Sequence, residues 1–145
     1  MIQEKRRAER IDIQMPVTVL LWDDETGTVL AGPAPGEAKN FSPTGLALSL
    51  ANIMLDKYHL FFTCQDKPSH ILKIIFTLSG DPETTVEVPA RPVWYDLVKE
   101  SPDERRAMMG VQFLLDPKDK AIKKLVNEFS KIGKAPTSWW QIKIF

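Results

Sequence analysis

The sequence predicts a mainly β domain, a small barrel or sandwich, closed by one C-terminal helix. Three observations carry that prediction. Short apolar runs separated by turn residues follow one another from Met15 onward. Thr85-Val86-Glu87-Val88 alternates with period two, the mark of a half-buried antiparallel strand. Only near the C-terminus does an apolar stripe of helical spacing appear. A length of 145 residues is that of one domain, and 43% hydrophobic with 26% charged residues supply a core and a wetted surface.

The chain divides into an N-terminal arm (1–14), a barrel with its closing helix (15–133) and an apolar C-terminal tail (134–145). The arm is charged, with Lys5, Arg6, Arg7 and Arg10 against Glu4 and Glu9 in its first ten residues. It lacks an apolar stripe, so it is expected to be mobile until something ties it to the barrel. Pro16–Trp22 is β-branched and ends at the acidic turn Asp23–Gly27. Ala31–Gly36 reads as a loop from its glycines and prolines. Leu46–Leu50 and Tyr58–Thr63 read as strands, with no helical period between them, and Ile71–Leu78 is the longest apolar strand. The run from Thr85 to Trp94 contains Pro89 and Pro92, which suggest an edge or a bulge. Gly110–Leu114 is a last short strand.

In the helix, Ala121, Ile122, Leu125, Val126, Phe129 and Ile132 form one stripe. Asp116 is the expected N-cap, with Pro117 at the first helical position and Gly133 as the stop. Its lysines read as a solvated face. Trp139, Trp140, Ile142, Ile144 and Phe145 of the tail need burial on this barrel or on another chain.

Composition excludes several function classes. Lys+Arg and Asp+Glu are both 19, so the formal charge is zero, which argues against nucleic acid as the partner. Two histidines and one cysteine cannot build a Cys/His zinc cage. A single cysteine, Cys64, allows no internal disulfide, and a reducing cytoplasm is the simplest compartment. Lys5–Arg7 followed by Met15–Trp22 imitates a signal peptide, but the apolar run holds Pro and Thr and ends in three acids. No run approaches the roughly 18–20 apolar residues of a membrane span. No phosphate-cradling or dinucleotide glycine fingerprint is present. His59 and Cys64 lack a glycine elbow and a carboxylate orienter, so Cys64 reads as a small core residue and the chain as no enzyme.

Two segments rise above this background. Arg6 and Arg10 are four apart, which sets two guanidiniums on one side of the arm. A guanidinium fork grips a phosphate or the O6/N7 edge of guanine, so the pair suits a phosphorylated purine. The second segment is Asn40-Phe41-Ser42-Pro43-Thr44-Gly45. Asn40 and Ser42 share a strand face, Ser42–Gly45 fits a type I turn, and Gly45 lets a ligand approach the backbone.

In this order, ahead of a β-rich domain, the two segments resemble the PilZ domain family. Its RxxxR motif matches Arg6…Arg10, and its [DN]xSxxG motif matches Asn40, Ser42 and Gly45. Val93-Trp94 and Gly110-Val111-Gln112-Phe113 before the helix extend the resemblance over about residues 4–130. The second motif opens with Asn where Asp is commoner, which the family tolerates. The resemblance implies a six-stranded antiparallel PilZ-type β-barrel with a C-terminal α-helix. It also implies binding of cyclic di-GMP, the bacterial second messenger, by Arg6, Arg7, Arg10, Asn40, Ser42 and Gly45, with no cofactor and no metal. Output would pass to a protein effector; the alternative is a PilZ-like adaptor that binds partners without ligand.

Overall fold

The computed structural model describes residues 10–79 and 84–133. In chain order the elements are β1 (Met15–Asp23), β2 (Thr28–Ser42), β3 (Gly45–Leu50), β4 (Met54–Leu55), β5 (Tyr58–His59) and α1 (Leu60–Asp66). They continue with β6 (His70–Leu78), β7 (Thr84–Ser101), β8 (Glu104–Phe113) and α2 (Lys120–Gly133). Six strands close an antiparallel barrel in the order β1-β2-β3-β8-β7-β6, and β6 pairs back onto β1. The expected six-stranded barrel with a C-terminal helix is therefore present.

Period-two burial builds the wall. Val17, Val19 and Leu21 of β1 point inward, as do Leu72, Ile74, Phe76 and Leu78 of β6. β7 and β8 run past the barrel as a hairpin beyond the last β3 pair, Leu50–Ala107, with Val98 opposite Arg106 and Lys99 opposite Arg105. α2 plugs one end of the barrel. Ile122, Leu125 and Phe129 are fully buried, and the Phe129 ring stands edge-on to Phe41 at 4.8 Å and tilted to Phe76 at 5.8 Å. No helix of the described residues is long and apolar enough to cross a membrane.

Four expectations are corrected. Ala31–Gly36 lies inside β2 rather than in a loop. Up to Pro35, β2 has β1 on one side only, since its pairing with β3 starts at Gly36 opposite Leu50. Prolines are tolerated on such an open edge. The run Tyr58–Thr63 leaves β5 after two residues and becomes α1, so His59 and Cys64 do not share a strand. His59 caps that helix, its Nδ1 accepting from the Phe62 N–H at 3.2 Å, while Leu60 and Cys64, four apart, face the core. Arg91 closes the other end by donating to the Cys64 carbonyl at 2.9 Å and to the Pro68 carbonyl.

The closing helix begins at Lys120, not beside Asp116. Asp119 caps it, accepting from the Ala121 N–H at 2.9 Å, and Asp116 caps the turn before it through the Lys118 N–H at 2.7 Å. Lastly, the base of the arm is not free. Ile13 is buried and Ile11 packs against the core, while Arg10, Asp12 and Gln14 face solvent. That alternation is strand-like, and it holds residues 11–13 on the barrel. The tail, including Trp139 and Trp140, lies outside the described residues.

Candidate functional site

The site begins where the arm meets β2. Ile11 and Phe41 exchange two backbone hydrogen bonds, 2.7 Å from the Ile11 N–H and 2.9 Å from the Phe41 N–H. This antiparallel bridge sets Arg10 level with Ser42 and Asp12 level with Asn40, and Arg10 and Asn40 line one groove. Phe41 turns inward against Phe113 and Phe129, so Asn40 is left on the outside. Asn40 has a φ of 52°, a left-handed conformation that Asn adopts more readily than most residues. It sits in the register break between Lys39 and Ser42, where the strand ends its regular pairing and re-aims a side chain.

The turn follows at once. Ser42 pairs with Gly45, and its hydroxyl is engaged within the turn: it lies 3.2 Å from Thr44 Oγ1, accepts from the Thr44 N–H at 3.3 Å and donates to the Gly45 carbonyl at 3.3 Å. The Thr44 carbonyl accepts from the Phe113 N–H at 2.8 Å, which ties the turn to the end of β8. Gly45 is required here, because a Cβ would run into the Val111 carbonyl oxygen of the neighbouring strand.

β7 supplies the opposite wall. Pro92 pairs with Val111 and Trp94 with Gly110, so Val93 is an extra residue in a bulge. Both Val93 and Trp94 are consequently turned outward, 55% and 47% exposed. The Trp94 indole lies over Gly110, where a Cβ would collide with the ring.

These elements enclose a groove of about 380 Å³. Arg10, Asn40 and Thr44 stand on one side, Gly45 and Gly110 on the floor, and Val93 and Trp94 on the other side. Arg10 is the only charged lining residue among the described residues, and no ion pair among them involves it. The groove thus offers a cation, an amide, a hydroxyl and an aromatic face above a glycine floor, which suits a flat, anionic heteroaromatic ligand.

Of the residues expected from sequence, Arg10, Asn40 and Gly45 converge on the groove. Ser42 does not line it; it is 7% exposed and braces the turn from behind. Arg6 and Arg7 lie outside the described residues. Sequence reasoning assigned no role to Trp94 or Gly110, although Pro92 inside a strand pattern and a glycine in β8 were the signals for a bulge and a close approach.

The residues weighed for catalysis sit elsewhere. Cys64 is buried, and that burial pushes its thiol up to about 12, against the opposing pull of Arg91. His59 holds its Nδ1 against the helix terminus, and burial keeps it below the ordinary imidazole range. Among the described residues, no group of three His, Cys, Asp or Glu is placed to hold a metal ion.

The model of the PilZ domain family matches residues 4–130 of the chain. No curated protein matches it.

Proposed function

The chain belongs to the PilZ domain family, and from that premise we propose that it is a cyclic di-GMP receptor acting in the bacterial cytoplasm, which signals through a protein partner and catalyses no reaction. The observation that carries this reading is the meeting of both motifs at one groove: Arg10 from the first, with Asn40 and Gly45 from the second. Arg10 grips a phosphate or a guanine O6/N7 edge, and Arg6 and Arg7 of the arm complete the cationic set. Asn40 and Thr44 hydrogen-bond the ligand, Gly45 makes room, and Ser42 keeps the turn in shape. Trp94 offers its exposed indole face as a stacking surface for guanine, a contact worth about 1–3 kcal/mol per base in other base-stacking proteins. A neutral chain is no obstacle, since a local positive patch is enough to steer a small dianion.

Calorimetric titration with cyclic di-GMP, with GMP and single-stranded DNA as controls, tests the proposal. Saturable heat with cyclic di-GMP alone is expected. No heat and no competition at roughly 100 μM ligand, which corresponds to about −5.5 kcal/mol, would leave the ligand-independent adaptor as the reading.

A further inference from the structure

Trp94 and Tyr95 are consecutive in β7 and leave opposite faces of it. Trp94 stands over Gly110 in the groove, whereas Tyr95 pairs with the fully buried Met109 and points to the end of the barrel that α1 covers. There its ring meets Phe61 and His59 at 5.1 Å and Phe62 at 5.8 Å, and His59 lies 4.4 Å from Phe62. The rings hold one another in place, yet Phe62 is 55% exposed. Register is unbroken from Trp94 to Lys99, so Leu97 and Lys99 continue the Tyr95 face along the overhanging hairpin. Leu97 is 58% exposed. Beyond it Lys99 and Arg105 are both exposed and directly opposite, and no ion pair among the described residues involves either. Like charges facing across a ladder are destabilising. Here they border an apolar face that none of the described residues covers.

We propose that this face, formed by Phe62, Tyr95, Leu97, Lys99 and Arg105, docks a segment of a partner protein in which apolar side chains stand next to carboxylates. Locked aromatic rings give contact area at little entropic cost and are enriched among the residues that dominate protein interfaces. The two cations select the charge of the occupant. A second copy of the chain is disfavoured, because a two-fold contact must complement itself and these five residues include no acid. An anionic membrane is disfavoured too, since lipid-reading clusters hold about 4–8 cations. The proposal gives the output of the cyclic di-GMP reading a place, but the docking itself is testable without nucleotide.

Displayed random peptides, selected on the full chain without cyclic di-GMP, are the probe. We expect enriched sequences with Asp or Glu beside Leu, Phe or Trp. Synthetic versions should bind about tenfold more weakly to Leu97→Ser and to the Lys99→Glu/Arg105→Glu pair, with thermal melting unchanged because all three residues are exposed. Lysine in place of the peptide acids should restore binding to the charge-reversed pair. Four results would overturn the proposal: no enriched peptide, peptides indifferent to these substitutions, Leu97-dependent sedimentation with phosphatidylcholine–phosphatidylglycerol vesicles, or a Leu97-dependent dimer in sedimentation velocity. Failure to bind cyclic di-GMP, by contrast, would remove the groove reading and leave this surface standing.

Discussion

Gly45 and Gly110 line the same groove under different constraints. At Gly45 a Cβ would strike the backbone carbonyl of Val111, and that backbone is held in the barrel ladder. At Gly110 it would strike the Trp94 indole, a half-exposed side chain with solvent to move into. Gly45→Ala should therefore lower stability by about 1–3 kcal/mol, the usual cost of overpacking, and weaken binding as well. Gly110→Ala should weaken binding with a smaller loss of stability, because the displaced group is the indole proposed to stack on the ligand. Scanning fluorimetry beside calorimetry separates the two effects. Arg10 is a third case. It is exposed and outside every ion pair among the described residues, so Arg10→Ala should leave melting nearly unchanged. Its binding loss should be about 1.5–3 kcal/mol, the range for a hydrogen bond to a charged group. A large fall in melting temperature with intact affinity would make Arg10 a structural residue instead.

Elements were readable from sequence where one force shaped them. β1, β3 and β6 followed from their apolar runs, and the stripe of α2 from Ala121, Ile122, Leu125, Val126 and Phe129. Readability failed where a local device overrode the pattern. The prolines of β2 sit on an edge that sequence cannot recognise as open. The bulge at Val93 turns two successive residues outward, which breaks the alternation that would have marked Trp94 as a wall of the groove. Ser42 matched its motif, but its hydroxyl serves the turn, and only the hydrogen bonds reveal that. α1 is seven residues, of which Phe61, Phe62 and Thr63 favour strands, too short for propensity to decide, and it stands on its His59 cap and on Arg91. That cap titrates. Burial keeps the His59 pKa below its ordinary value of 6.5, so its contribution to stability is complete above about pH 6.5 and is lost as pH falls toward the folded value. Asn caps a helix without titrating, so His59→Asn should flatten the decline in melting temperature below pH 6.5 relative to the wild type. Parallel pH profiles for both proteins would show the cap to be silent.

Across the whole molecule, the Ile11–Phe41 bridge changes what a ligand has left to order. Residues 11–13 are already on the barrel, with Ile13 buried, so a ligand-induced gain of protection should fall N-terminal to Arg10. Hydrogen exchange should find the Ile11 and Phe41 amides protected with and without cyclic di-GMP, and residues 3–9 more protected with it. Equal exchange of residues 3–9 in both states would confine the response to the barrel. β7 then offers a short physical route between the two surfaces, because Trp94 faces the groove and the next residue, Tyr95, faces the aromatic patch at the covered end. Both ideas presuppose that the groove is where cyclic di-GMP binds. The most direct measurement of that claim is an NMR titration that follows backbone amides and the tryptophan indole N–H groups. Saturating shifts are expected at Arg10, Asn40, Thr44, Gly45 and Gly110 and at the Trp94 indole, with the Trp22 indole unmoved on the β1 side of the barrel, where Lys73 lies over its ring. Saturable binding that left those signals still and shifted a different set would contradict it.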